Sequence, residues 1–395
     1  MKILISAYAC EPDVGSESDV GWSWVKTFLN TRDEVYVITR LSNKPRIKNY
    51  LKKVKNAKIH FLYFDFPKFL IRVIRGFSSK QNNYFYFFIW QIGIFIKYFK
   101  FIKNKKFDYI HHVTFVSYRF ASFLWFFESK FILGPVAGGE EINRKLRHNF
   151  NFKSKIIEKI RDLSNIYLRY SLLNKAMLNN SEKILLTSND SLKFIPKIYH
   201  NKCFICPAVF NDKIAYKIKK KKTMQIYFAG RLIDIKGIKI LLQIFRNLNY
   251  YYHNNFTLNI YGEGPLKDNI IDFANNNNFQ KKIKLYGHLK KKDLIKQIKK
   301  NDLLIFPTLR DSGGIVILEA LNNNINIITT NTSGPMSLIV GSKENLVDVK
   351  FSSYEKIIKS FTEKIIHFYK SKKNLHTYKL NPLLLQKNKK NFIYN

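Results

Sequence analysis

Short apolar runs rich in β-branched residues recur along almost the whole chain, each followed by a stretch with helical periodicity. Seven fall in the first half: KILISAY, EVYVITR, KIHFLYF, YIHHVTF, KFILGPV, KILLTS and CFICPAV. Five follow in the second: MQIYFAG, TLNIYGEG, IKLYGHL, DLLIFPT and NIITTN. Runs that are apolar throughout belong to strands covered on both faces, so the pattern predicts an α/β chain of parallel sheets with helices on both sides. At 395 residues the chain exceeds what one core serves. Between the two series lies PAVFNDKIAYKIKKKKT, polar and basic after Pro207, which reads as a linker. The expectation is two doubly wound, Rossmann-like domains, 1–208 and 209–395, hinged near residue 210 and facing each other across a cleft.

The balance of 68 Lys and Arg against 28 Asp and Glu gives a formal net charge of +40. Such a charge suits nucleic acid, an anionic membrane surface or phosphorylated substrates. About half of the excess follows a general bias toward Lys, Asn, Ile and aromatic residues, since charge runs are usually solvated faces. An RNA-binding protein would also combine basic and aromatic residues. The sequence has no RNP, KH or zinc-knuckle pattern, however, and no nucleic-acid partner is expected. Three cysteines give no disulfide framework and favour a reducing compartment. Cys203 and Cys206 form a C-x-x-C inside a strand-like run with no second ligand pair, a poor setting for metal or redox chemistry. The apolar run in MKILISAYACEP is only about seven residues before acids follow, so it reads as a first strand rather than a signal peptide.

The segment YFYFFIWQIGIFIKYF, from Tyr84 to Phe99, is interrupted by Gln91 and Lys97. It falls short of the roughly 20 residues a spanning helix needs. The chain is therefore expected in the cytoplasm. Peripheral attachment to the inner face of an anionic membrane is expected through the stretch from Pro67 to Phe107, which has nine Lys or Arg, no acid and thirteen aromatic residues. There Lys97, Lys100 and Lys103 share a helical face, while Phe95, Tyr98, Phe99 and Ile102 are apolar, the make-up of an interfacial helix.

Open α/β sheets bind ligands outside the carboxyl ends of their strands, so the loops there carry the candidate site. After the first strand, Gly15 and Ser16 precede a helix whose free N–H groups can face an anion, although a plain turn explains Gly15 equally well. In AGRLIDIKG, Arg231 and Lys236 follow a strand, two cations able to neutralise a diphosphate. Gly262 and Gly264 of GEGP are a turn first and a ligand contact second. In FPTLRDSGGIVILEAL a strand ends, the chain turns through Asp311, Gly313 and Gly314, and a helix starts near Ile315 and carries Glu319. The turn can bring backbone close to a ligand, and the two acids can bracket a nucleotide sugar, unless Asp311 merely caps the helix. In DYIHHVT, His111 and His112 end a strand and point to opposite faces, so one of the pair can stand over a reacting centre.

Six of these segments, ACEPDVGSESDVGWSW, HHVTFVSYRFASFLW, GPVAGGEE, AGRLIDIKG, YGEGP and DSGGIVILEAL, stand in an order that resembles the retaining glycosyltransferases of family 4. This is the glycosyl transferases group 1 class, of GT-B fold, and the resemblance runs from about residue 1 to residue 340. It implies a nucleotide-sugar donor held mainly by the second domain, a glycan or lipid-linked acceptor held mainly by the first, a role in cell-surface polysaccharide synthesis, and neither cofactor nor metal. The sequence has no D-x-D that would carry a divalent ion on the diphosphate. By the resemblance, Arg231 and Lys236 match the diphosphate cations, Glu319 the ribose-contacting second acid of an E-x7-E motif, Gly15 the N-terminal phosphate-loop glycine, and either His112 or His111 the histidine near the acceptor. Asp311 stands where the first acid usually is Glu, and Gly313 where many members have Phe. The shorter acid leaves a catalytically inactive, transferase-like scaffold as the alternative. Beyond residue 345 the similarity fades, and LLLQKNKKNFIYN has no clear match to a helix that returns to the first domain.

Overall fold

The structure is a computed structural model. It describes residues 1–29, 31–53, 58–76, 84–113, 115, 117–206, 208, 223–252, 256–298, 301–323, 325–341, 344–371, 378–380, 390 and 393–394. The linker read at 207–223 lies outside these apart from Ala208 and Thr223.

The chain divides into two compact units. Unit 1 comprises Met1–Gly139, Asp162–Phe210 and Gln386–Asn395, and unit 2 comprises Glu140–Arg161 and Asn211–Leu385. The chain passes from one unit to the other after Gly139, Arg161, Phe210 and Leu385, and the third of these passages lies in the linker read between 1–208 and 209–395. Of the other three, one follows Gly138 and Gly139, one falls inside a helix and one precedes the last ten residues.

In unit 1 the strands are β1 (Lys2–Ser6), β2 (Glu34–Arg40), β3 (Ile59–Phe64), β4 (Tyr109–His112), β5 (Lys130–Val136), β6 (Ser181–Leu186) and β7 (Cys203–Ile205). They form one parallel sheet in the order β3-β2-β1-β4-β5-β6-β7. In unit 2, β8 (Met224–Ala229), β9 (Phe256–Tyr261), β10 (Ile283–Gly287), β11 (Leu303–Phe306), β12 (Asn326–Thr330) and β14 (Leu346–Val347) run parallel in the order β10-β9-β8-β11-β12-β14. β13 (Ile339–Gly341) pairs antiparallel with β15 (Tyr378–Leu380). All twelve expected strands form. The three unforeseen ones are two or three residues long, too short for a periodic signal. Strand order reverses between β1 and β4 in unit 1 and between β8 and β11 in unit 2, and these reversals open the crevices where such sheets take ligands.

The helices are α1 (Ser16–Lys26), α2 (Lys44–Leu51), α3 (Lys68–Gly76), α4 (Tyr84–Lys105), α5 (Phe152–Tyr170), α6 (Leu172–Asn179), α7 (Asn189–Leu192), α8 (Ile238–Tyr251), α9 (Lys267–Asn276), α10 (Lys291–Ile298), α11 (Ile315–Asn322), α12 (Ser333–Leu338) and α13 (Tyr354–Ser371). On one face of the unit 1 sheet, Tyr86, Phe87, Trp90 and Ile94 of α4 pack with Leu4, Tyr8, Ile38 and Ile110 in a buried cluster. α4 corrects one expectation. Its segment Phe85–Lys105 is long and apolar enough to cross a membrane by length and composition. Yet the residues expected to face lipid are engaged inside unit 1: Ile102 is buried, Phe95 and Phe99 pack on Phe127, and the Tyr98 hydroxyl donates to the Tyr63 carbonyl at 2.9 Å. Lys97, Lys100 and Lys103 remain exposed. Helical spacing was read correctly, but spacing alone does not say whether an apolar face meets a sheet or a bilayer.

Candidate active site

In unit 2 the loops after β8 and β11 are laced together. The Ile235 carbonyl accepts from the Leu309 amide at 2.9 Å and from the Thr308 hydroxyl at 3.2 Å. This lacing sets Lys236, which follows β8, over the Phe306 ring at 5.4 Å and into an ion pair with the Asp311 carboxylate. The other carboxylate oxygen, Oδ1, accepts from the Gly313 amide at 3.0 Å and the Gly314 amide at 2.6 Å. Burial works to raise the Asp311 carboxyl, but the Lys236 ammonium and these two amides prevail and hold it below the ordinary 3.8. Asp311 thus folds the turn and fixes the Lys236 ammonium.

Gly314 closes the turn with φ 56°, and a Cβ there would lie 2.5 Å from Leu338 Cδ1, so only glycine fits without displacement. Gly313 is different: a Cβ there would meet nothing nearer than 3.7 Å, so the position has room for a side chain. Helix α11 then starts at Ile315 and carries Glu319 on a half-buried face. Burial, and after it the charge of Glu319, pushes the Tyr227 phenol of β8 well up, and the Tyr227 hydroxyl has no hydrogen-bond partner among the described residues. Arg231 is exposed at the head of the same loop. Gly262 is a packing residue: at φ 146° its Cβ would fall 1.8 Å from the Gly230 carbonyl, where the turn after β9 lies against the loop after β8. Lys236, Asp311, Gly313 and Gly314 are therefore in direct contact, with Arg231 on the loop after β8 and Ile315 and Glu319 on α11.

Sequence reasoning missed Arg310. Its guanidinium forks onto Glu158 of α5 at 2.6 and 2.8 Å with both side chains nearly buried, and so ties the residue next to Asp311 to a helix far away in sequence. The one available signal was Glu158, with Asp162 one of only two acids in a mostly basic and apolar helix.

In unit 1, Gly15 has φ 89° with open space where a Cβ would stand, and Ser16 begins α1, slightly earlier than the expected start near Glu17 to Asp19. The two histidines part company. His111 Nε2 lies 2.7 Å from the Gly134 carbonyl, which can only accept, so Nε2 carries the proton and Nδ1 accepts from the Tyr394 hydroxyl at 2.6 Å. With its ring also edge-on to Trp24 at 4.5 Å, His111 is held as part of the core of unit 1. His112 stacks on Phe87 at 6.0 Å, and its Nδ1 has no partner among the described residues. Burial lowers it to about 4, so it is a neutral imidazole at pH 7. In register, His112 stands beside Ser6 at the β1/β4 reversal.

Residues 210–381 match the family model described as Glycosyl transferases group 1. An uncharacterized 41.2 kDa protein in the cps region of Klebsiella pneumoniae is 24% identical over 213 residues, which are 49% of this chain and 56% of that protein. The uncharacterized glycosyltransferase MJ1059 of Methanocaldococcus jannaschii is 26% identical over 202 residues, 48% of this chain and 47% of that one. The chain thus spans about half the length of the curated relatives it matches. Among solved structures, the lipopolysaccharide outer core galactosyltransferase WaaB in its apo form is similar over 100% of this chain and 99% of its own, with a TM-score of 0.59 at 15% identity. Anabaena Alr3699/HepE, solved in complex with UDP and glucose, is similar over 95% of this chain and 92% of its own, with a TM-score of 0.57 at 14% identity.

Proposed function

We propose that this chain, which carries a glycosyl transferases group 1 domain over residues 210–381 within a GT-B fold, is a retaining glycosyltransferase. It moves a hexosyl group from a nucleotide-sugar donor to a glycan or lipid-linked acceptor in cell-surface polysaccharide synthesis. The observation that carries this reading is Lys236 held by the Asp311–Gly314 turn at the β8/β11 reversal, with Arg231 exposed at the head of the same loop. That reversal is where an α/β sheet takes its ligand.

When the bond to the anomeric carbon breaks, negative charge develops on the departing nucleoside diphosphate while the acceptor hydroxyl arrives on the same face. Lys236, already oriented by Asp311, and Arg231 stabilise that charge without reorganising at the moment of reaction, which is usually the largest catalytic contribution. Glu319 accepts from the ribose hydroxyls, and Gly15 and Ser16 offer a helix start to an anionic group. Neutral His112 orients the acceptor or the sugar, and Asp311 is a positioning residue acting through Lys236. Because two cations serve the diphosphate and the sequence lacks D-x-D, the reaction is expected to need no divalent metal. Cys10, Cys203 and Cys206 form no disulfide with one another, which supports a cytoplasmic setting. The capsule-region relative and the lipopolysaccharide neighbour support the polysaccharide setting.

Incubating the protein with a panel of nucleotide sugars and following release of the nucleoside diphosphate tests the proposal, with and without chelator. Release from at least one donor, undiminished by chelator and with anomeric configuration kept in the product, is expected. No release from any donor would favour the inactive scaffold, and an inverted product would refute the retaining reading.

A further inference from the structure

At the carboxyl edge of the unit 1 sheet, Arg40 closes β2 beside Phe64 of β3, and Tyr8 follows β1. Strand alternation puts Arg40 on the same face as Tyr36 and Ile38, the face that α4 covers. Its guanidinium is clamped there. Nε donates to Asp65 Oδ1 at 3.0 Å, and the central carbon lies over the Tyr8 ring at 5.1 Å and the Tyr86 ring at 5.5 Å. The clamp is itself fixed, because the Tyr86 hydroxyl donates to the same Asp65 oxygen at 2.8 Å and the Ser42 amide to the other at 3.4 Å. Nη1 and Nη2, the forked end of the group, have no partner among the described residues and reach solvent. An arginine that only tied β2 to β3 would turn its fork onto the acid, as Arg310 does onto Glu158 at 2.6 and 2.8 Å. Here Asp65 takes Nε alone, and the fork is left over.

We infer that Arg40 binds an oxyanion, a carboxylate or a phosphate, carried by the acceptor. Parallel N–H donors on a rigid plane match that geometry, which a lysine ammonium does not. Tyr8 is edge-on to Phe87 at 5.3 Å and Phe87 stacks on His112 at 6.0 Å, so Arg40 and His112 share one wall of aromatic rings. β2 and β4 flank β1, which sets the two residues about 10 Å apart across the sheet. The anion is therefore a neighbour of the hydroxyl that reacts, and a neutral glycan would leave the fork unpaired. That the anion belongs to the acceptor rests on the transferase reading; its capture by Arg40 does not.

Titrating the full chain with glucuronate, inorganic phosphate and glucose, without donor, and following binding by ligand-observed NMR is the test. Glucuronate or phosphate is expected to bind and glucose is not, and the tighter of the two anions names the group. Arg40→Lys, which keeps the charge and removes the fork, should weaken binding about tenfold. Arg40→Gln combined with Asp65→Asn removes the ion pair as a unit, leaves no buried charge alone and should abolish binding. Arg46→Gln, at a 59% exposed cation on α2, should leave it nearly unchanged. No binding of either anion, equal affinity for glucose, or anion binding that survives in the double variant overturns the inference. So does a loss that follows Arg231→Gln instead, which would place the anion in the donor site. A chain that captures the anion through Arg40 yet releases nucleoside diphosphate from no donor would keep this site and refute the transferase.

Discussion

Asp311 and Lys236 illustrate how much a residue's role depends on its partner. With Lys236 removed, the Asp311 carboxylate would remain almost buried with only two amides for company, so Lys236→Ala is expected to lower both transfer and thermal stability. Arg231 is exposed, so Arg231→Ala should lower transfer and leave the melting temperature unchanged. Losses of about 30- to 1000-fold in kcat/KM, on the order of 2–4 kcal/mol, are expected for Lys236→Ala, and for Glu319→Ala with stability kept. Wild-type turnover in purified Glu319→Ala would remove it from the donor site. His112 adds a pH signature. Its folded-state value of about 4 lies below its ordinary 6.5, so in acid the unfolded chain takes up a proton that the folded chain refuses. Stability should therefore fall as pH drops below 6.5 and level off near 4, by about 3 kcal/mol in all. Melting curves of His112→Gln against wild type across that window measure it; parallel profiles would show that His112 does not stay neutral on folding.

At the scale of elements, the turn between β11 and α11 was legible in sequence and its internal bonding was not. The pair Gly313 and Gly314 announces a turn, but only the coordinates distinguish a glycine required by its left-handed backbone from one with space around it. Gly314→Ala should therefore cost more than about 1 kcal/mol of stability, since alanine is strained at positive φ and its methyl would collide with Leu338. Gly313→Ala should be close to neutral, and equal melting temperatures for the two variants would contradict this assignment. The twelve expected strands were readable for a simple reason: a fully buried parallel strand must be apolar throughout, and the sequence repeats that signal without ambiguity. The helices α4 and α5 show where legibility ends. Both are apolar and basic, yet one packs its apolar side on a sheet and the other leaves it exposed. That difference is set by tertiary neighbours such as Tyr63 and Phe127, which no window of local sequence contains.

At the scale of the molecule, unit 1 is assembled from three separate stretches of chain, and the last of them, Gln386–Asn395, was the least recognisable in sequence. Its described residues are strongly engaged. Tyr394 is almost fully buried among Phe28, Tyr109 and His111, Ile393 is fully buried and its carbonyl accepts from the Lys183 ammonium at 3.0 Å, and Lys390 pairs with Asp33. Asp33 also holds the amino group of Met1, and burial, which works to raise its carboxyl, is outweighed by Lys390 and the amino terminus. Two consequences follow for folding. Unit 1 cannot complete its core until Ile393 and Tyr394 are in place, and Tyr394 fixes the tautomer of His111 beside the strand end that carries His112. Tyr394→Ala should therefore destabilise the protein by about 3–5 kcal/mol, the range for removing a buried aromatic ring. Tyr394→Phe, which keeps the ring and removes the bond to His111, should cost about 1–3 kcal/mol. Urea unfolding of both variants and of a chain shortened to residues 1–385 measures these differences. A shortened chain as stable as the full one would show that the last ten residues rest on unit 1 without contributing to its core.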